Sequence, residues 1–247
     1  MEKSSKGITM KILVLQHAVE EHPGSFRKLL REDGHEWTPV QLDLGEPLPE
    51  LDGFDALWVL GGPMDVWEED AHPWLIEEKK FIQNAVVEKG LPFLGLCLGH
   101  QLLAEALGGS CGPSRTPEIG VLPVQLTEVG ANGVIFDDLP DKFSALQWHS
   151  AEIQQMPAGA ECLATSPECA VQAMCWGPRA YSMQFHIEVE PDTVANWSAI
   201  PAYAEALTKA LGKDGVQQMD QACATHMPDF EKIAERLYIN WLQTAAH

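Results

Sequence analysis

Positive charge is scarce in this chain. Sixteen Lys and Arg stand against 36 Asp and Glu in 247 residues, a formal net charge of −20. The negative charge is spread along the chain, so it reads as a solvated surface. Such a surface repels phosphate backbones and anionic headgroups, and neither nucleic acid nor a membrane is expected as a partner. Long apolar runs are also missing. No stretch approaches the ~20 residues of a membrane-spanning helix, and the opening "MEKSSKGITM" has no apolar signal core. Met10 begins "MKILVLQH" and reads as an alternative start, which makes residues 1–9 a disordered extension. There is no internal repeat, low-complexity tract or linker. The six cysteines include no C-x-x-C pair, and a chain of this size needs no disulfide staples, so reduced thiols and a cytoplasmic location are expected. Cys162, Cys169 and Cys175 fall in apparent strands and match no zinc spacing. They read as structural thiols, and neither a metal nor an organic cofactor is expected.

What is present is an alternation of short apolar strands and amphipathic helices. "KILVLQH" (11–17), "EWTPVQLD" (36–43), "FDALWVLGG" (54–62) and "PFLGL" (92–96) read as strands. Pro39 places the second near a sheet edge. Helices are expected over 24–33, 74–89 and 98–107, the second with an apolar face of Leu75, Ile82, Ala85, Val86 and Val87. The order β-α-β-β-α-β-α implies a doubly wound, mostly parallel α/β sheet covered on both faces. The second half changes character. "IGVLPVQLTEV", "FSALQWH", "AVQAMCW" and "AYSMQFHI" read as strands with short turns, among them a hairpin at "WGPRAY", and form a mixed or antiparallel extension. The tail is helical. Phe230, Ile233, Ala234, Leu237, Tyr238, Trp241 and Leu242 make a stripe expected to pack back on the domain.

The segment "LPFLGLCLGHQLLAEALGG" (91–109) sets Cys97 where a strand turns into a helix. G-x-nucleophile-x-G describes such a joint. The sharp turn strains the central residue, flanking glycines relieve crowding, and the side chain is exposed at the strand's carboxyl end. The helix N-terminus then favours negative charge on the sulfur, and the Leu98 N–H points where an oxyanion would form. A partner base is available in "YSMQFHIEVEP" (181–191). His186 and Glu188 face the same way at strand spacing, so the carboxylate can orient the imidazole. In "WVLGGPMDVWEED" (58–70), Gly61 and Gly62 let backbone approach a ligand closely.

These segments, with "EIGVLPVQLT" and "QWHSAEIQQMPAGAECLATSP", resemble the class I glutamine amidotransferases of the triad type, in particular stand-alone proteins related to the amidotransferase domain of GMP synthase. The resemblance runs from about residue 11 to 198 and implies a flavodoxin-like domain over 10–198, with helices 199–247 packed on it. It implies Cys97 as nucleophile, His186 as base and Glu188 as its orienting carboxylate. It further implies the Gly62 and Leu98 N–H groups as oxyanion donors, and Gln101, His149 and Ser150 at the glutamate portion of the substrate. Glu118, in "EIG", fits a motif of these relatives without an assigned role. One departure stands out. The family reads F-H-P-E where this chain has F-H-I-E, with Ile187 in place of proline.

Other residues read less specifically. His100 reads as a support of the elbow, and His149 lacks a carboxylate two residues on. Asp65, Trp67 and Glu68 could border the pocket mouth, and Trp58, Trp74 and Trp176 read as core or pocket wall. The expected reaction is hydrolysis of a γ-glutamyl amide, glutamine to glutamate and ammonia, through a thioester. No P-loop or ATP-pyrophosphatase segment is visible, so a synthase that uses the ammonia is expected as a separate subunit. Three alternatives stand beside it: a γ-glutamyl peptidase acting on a glutathione-like compound, a silent regulatory or binding module, and a cysteine-elbow protease or chaperone. The last would carry its histidine next to the cysteine, where this chain has Leu98.

Overall fold

The structure, a computed structural model, describes residues 9–245. The expected extension over 1–9 therefore lies outside the described residues apart from Thr9. One nine-stranded sheet runs in the order β2-β1-β3-β4-β9-β8-β7-β5-β6. Its first strands, β1 (Lys11–Gln16), β2 (Glu36–Gln41), β3 (Ala56–Val59) and β4 (Phe93–Leu96), pair in parallel, as does β9 (Ala180–Met183) with β4. The rest of the sheet is antiparallel: β8 (Ala173–Trp176), β7 (Ala160–Thr165), β5 (Ser110–Leu126) and β6 (Lys142–Gln155). The expected doubly wound sheet with an antiparallel extension is what forms, and β2, the strand with Pro39, lies at the sheet edge.

Strand alternation sorts the core into two layers. Ile12, Val14, Ala56, Trp58, Leu94 and Leu96 face one side, where they meet Phe26 and Leu30 of α1 (Phe26–Asp33) and Leu237 and Trp241 of α7 (Gly215–Ala245). Leu13, Leu15, Leu57, Val59 and Phe93 face the other, against α2 (Trp74–Gln83) and α3 (Leu98–Ala106). A third cluster joins Ile119, Leu146 and Trp148 of β5 and β6 to the carboxyl-terminal helices, including Trp197 of α5 (Thr193–Ser198) and Tyr203 and Leu207 of α6 (Pro201–Leu211). A short α4 (Glu128–Ala131) follows β5.

Three expectations need correction. The helix over 74–89 changes at Asn84 into a π-helical turn through Glu88, closed by the Lys89 N–H on Asn84 O at 2.9 Å. The wider turn rotates the following side chains off the apolar face, so Val87 is exposed rather than buried. The run "AYSMQFHI" is a strand only to Met183. Cys169 lies in the loop between β7 and β8, not in a strand.

Candidate active site

The carboxyl ends of the parallel strands converge, the usual place for a ligand in an open α/β sheet. Between β4 and α3, Cys97 sits at φ 52°, ψ −103°. It is one of two non-glycine residues with positive φ among the described residues. Its N–H donates to Met183 O at 2.8 Å, and its carbonyl accepts from the His100 N–H at 3.0 Å. The flanking glycines have a packing reason. A Cβ on Gly99 would lie 2.0 Å from Val59 O, and one on Gly95 would lie 2.6 Å from Gly99 O. Only glycine at both positions lets α3 start this close to the sheet.

His186 lies beyond β9. It is held by a lone antiparallel bridge, its N–H donating to Leu146 O at 2.9 Å and its carbonyl accepting from the Leu146 N–H at 3.1 Å. The His186 Nδ1–H donates to Glu188 Oε1 at 2.6 Å. Ile187, the departure from F-H-P-E, keeps an N–H that donates to Glu188 Oε2 at 2.9 Å, a bond proline cannot make. The Ser25 N–H donates to Glu188 O at 2.9 Å, and the Trp197 ring meets the His186 ring edge-on at 4.6 Å. Burial opposes protonation of His186. The Glu188 carboxylate and the Cys97 side chain outweigh it and hold the imidazole pKa well above its ordinary value.

Cys97 opens into a cavity of about 810 Å³ that Gly62, Leu98, Gln101, His149 and Ser150 also line. The sequence-selected residues thus meet in one place, with His186 and Glu188 buried behind it. The Leu98 and Gly62 N–H groups donate to no backbone acceptor among the described residues. Gln101 Nε2 donates to Gln184 Oε1 at 3.0 Å, and Gln184 Nε2 reaches Cys97 Sγ at 3.5 Å. His149 has a carboxylate after all. Glu118, opposite it on β5, puts Oε2 3.2 Å from Nε2, while Nδ1 donates to Ala151 O at 3.0 Å. Cross-strand pairing supplies what the i+2 spacing could not. Glu118 also accepts from Gln172 Nε2 at 2.6 Å. His100 ties α3 to β9 and to the loop before β8: Nδ1 accepts from Ser182 Oγ at 2.8 Å and Nε2–H donates to Val171 O at 3.1 Å. Burial pushes its pKa down to about 3, so it is neutral. Asp65 and Glu68 border the cavity, whereas the exposed Trp67 does not.

Sequence reasoning missed several neighbours. Gln184 stands inside a quoted motif without a role. Glu21 is buried, accepts from the Tyr203 hydroxyl, and has its pKa raised by burial. His17 and Glu78 form a fully buried pair. One signal was available: Glu78 lies between Leu75 and Ile82 at helical spacing, a carboxylate on the apolar face. The side of the cavity beyond Trp148 is walled by Tyr203, Glu205, Ala206, Lys209 and Ala210 of α6. Among the described residues no cluster of His, Cys, Asp and Glu is arranged to hold a metal ion, the six cysteines are free, and no helix is long and apolar enough to cross a membrane.

Comparison with known proteins gives the family of the chain. The profile of the family "Glutamine amidotransferase class-I" matches residues 25–196. A glutamine amidotransferase-like protein of Salmonella typhimurium, YfeJ, is 28% identical over 233 residues, covering 93% of this chain and 95% of its own. A glutamine-hydrolyzing GMP synthase subunit from Sulfolobus acidocaldarius is 33% identical over 152 residues, covering 61% of this chain and 76% of its own. GMP synthase of Aeropyrum pernix is 33% identical over 163 residues, 64% of this chain, but the match spans only 29% of that longer protein. Among solved structures, a glutamine amidotransferase from Thermotoga maritima superimposes with a TM-score of 0.84 at 27% identity, covering 98% of this chain and 100% of that one. The chain belongs to the class I glutamine amidotransferase family.

Proposed function

We propose that the protein hydrolyses a γ-glutamyl amide, glutamine in the first instance, to glutamate and ammonia through a thioester on Cys97. The observation that carries this reading is a cysteine at a strained elbow, open to a cavity, with the His186–Glu188 pair facing it. In the proposed sequence His186 takes the Cys97 proton, and the sulfur attacks the γ-carbonyl carbon. The carbonyl oxygen becomes an oxyanion between the Gly62 and Leu98 N–H groups, where one such donor contributes about 3–4 kcal/mol in comparable sites. The C–N bond breaks as His186 returns the proton to the departing ammonia. A water deprotonated by His186 then attacks the thioester, the C–S bond breaks, the Cys97 sulfur takes the proton back from His186, and glutamate is released. Glu188 orients His186 throughout, and Gln101, His149 and Ser150 line the part of the cavity suited to the glutamate portion. Every group in this sequence of steps belongs to the chain, the substrate or water, so the proposal names no cofactor.

Glutamate release from glutamine by the purified protein tests this reading, with Cys97→Ala as control. Turnover lost in the variant supports it. Equal inactivity of both proteins, even with added GMP synthase-type partners, favours the silent binding module.

A second reading has its own observation. The α6 wall extends the cavity to about 810 Å³, beyond what glutamine needs. A γ-glutamyl peptidase acting alone would use that space for a leaving group larger than ammonia. A true amidotransferase would instead pass ammonia to a separate synthase chain, as the name of the Sulfolobus relative suggests for that protein. Turnover of γ-glutamyl peptides without a partner supports the peptidase; slow glutamine hydrolysis that a partner accelerates supports the amidotransferase.

A further inference from the structure

The Gly61–Gly62 peptide is fixed from behind by a residue just past the carboxyl end of β1. His17 follows β1 and puts Nδ1 2.8 Å from Gly61 O, while its Nε2 lies 2.9 Å from Glu78 Oε1 on α2. A carbonyl only accepts, so Nδ1 carries the proton of this bond and donates it to Gly61 O. Burial works against a positive charge on the ring, but Glu78 and the Gly61 carbonyl outweigh it, and the His17 pKa is raised. The pair is shielded. Both side chains are fully buried, and the Trp74 ring stacks on the imidazole at 5.4 Å. The peptide itself has no slack. A Cβ on Gly61 would lie 2.5 Å from Glu21 Oε2, and one on Gly62 would lie 2.7 Å from His17 Cβ and 2.8 Å from a Leu98 methyl.

Peptide planarity turns this into a statement about the reaction. The described chain has no cis peptide. In a trans peptide the C=O and the following N–H point in opposite directions. A Gly61 carbonyl held against His17 therefore aims the Gly62 N–H away from His17. Gly62 lines the Cys97 cavity together with Leu98, and its N–H has no backbone acceptor among the described residues. We infer that His17, held by Glu78, is a positioning residue that locks the Gly61–Gly62 peptide with its N–H aimed at the oxyanion formed on Cys97. His17 touches neither substrate nor sulfur in this role; it acts through one backbone unit. The inference rests on the hydrolytic reading above.

Two substitutions separate positioning from general support. Asn places a side-chain N–H near the position of Nδ1, whereas Gln reaches toward that of Nε2. His17→Asn keeps a donor for Gly61 O and gives up the reach to Glu78; His17→Gln does the reverse. Both are compared with the wild type in glutamine hydrolysis and in alkylation of Cys97 by iodoacetamide. Alkylation is a displacement at carbon that forms no oxyanion. The expected result is a kcat in His17→Gln lowered by about 10²-fold, in the range for a lost oxyanion donor, with KM within about threefold, and substantial recovery of kcat in His17→Asn. Alkylation rates should stay within about threefold in both, which also shows that the elbow is folded. A His17→Gln variant with wild-type kcat, or one whose alkylation falls in step with kcat, overturns the inference while leaving the hydrolytic reading intact. A wild type that hydrolyses no γ-glutamyl amide overturns both.

Discussion

Cys97 at φ 52° occupies backbone geometry that costs a side-chain-bearing residue about 1–3 kcal/mol. Glycine escapes that cost, against an entropic penalty of about 0.5–1 kcal/mol. Cys97→Gly is therefore expected to be about 1 kcal/mol more stable than Cys97→Ala in denaturant unfolding, with both inactive; equal stability would mean that the elbow stores no strain. His100 makes a second residue-scale prediction. Its folded pKa of about 3 lies below the unfolded value of 6.5, so the unfolded chain binds the extra proton between those limits. Its contribution to stability is full above pH 6.5 and is lost as pH falls, at up to about 1.4 kcal/mol per pH unit. The slope of unfolding free energy between pH 6.5 and 4.5 should be steeper in wild type than in His100→Gln by roughly one proton. Ile187→Pro removes the N–H that bonds Glu188 Oε2. It also strips a side chain that is 1% exposed. A stability loss of about 1–3 kcal/mol is expected from the unmet acceptor alone, read as a shift in the denaturation midpoint.

At the scale of elements, the contact between α3 and the sheet leaves no room for a side chain at Gly99. Gly99→Ala would press a methyl into Val59 O, and overpacking against backbone should cost more than about 2 kcal/mol and lower Tm accordingly. In the peptidase reading proposed above, the α6 wall takes part in substrate choice. Ala206→Trp narrows the cavity and should lower kcat/KM for bulky γ-glutamyl amides at least tenfold more than for glutamine, within the range a pocket contact supplies. An unchanged ratio would remove α6 from substrate choice. Elements were legible where a period and a stop signal coincided. Pro39 marked the edge strand, and the glycines around Cys97 marked the strand-to-helix joint. The π-turn at Asn84 was not legible, because its one-residue offset follows from packing and carries no local composition. The end of β9 at Met183 was also hidden, since Gln184 to Ile187 keep an apolar alternation while leaving the ladder for the bridge to Leu146.

For the whole molecule, the formal net charge of −20 repels itself across a compact surface. Raising salt from about 10 to 150 mM shortens the screening length from about 30 to 8 Å, so Tm should rise with salt; a fall would mean that the surface ion pairs outweigh the repulsion. The site is assembled from strand ends far apart in sequence, which explains what could be read in advance. Cys97, His186 and Glu188 announce themselves by type and local spacing. His17, Glu78, Glu21 and Tyr203 meet only after the sheet closes, and none of the four has a local motif. In the proposed reaction a γ-glutamyl group passes through the Cys97 sulfur. Acid-quenching the protein seconds after mixing with glutamine, followed by mass spectrometry of its peptides, tests it most directly. A γ-glutamyl thioester is expected on the peptide that carries Cys97, absent in Cys97→Ala. Glutamate release without any adduct on that peptide, or an adduct on another cysteine, would contradict it.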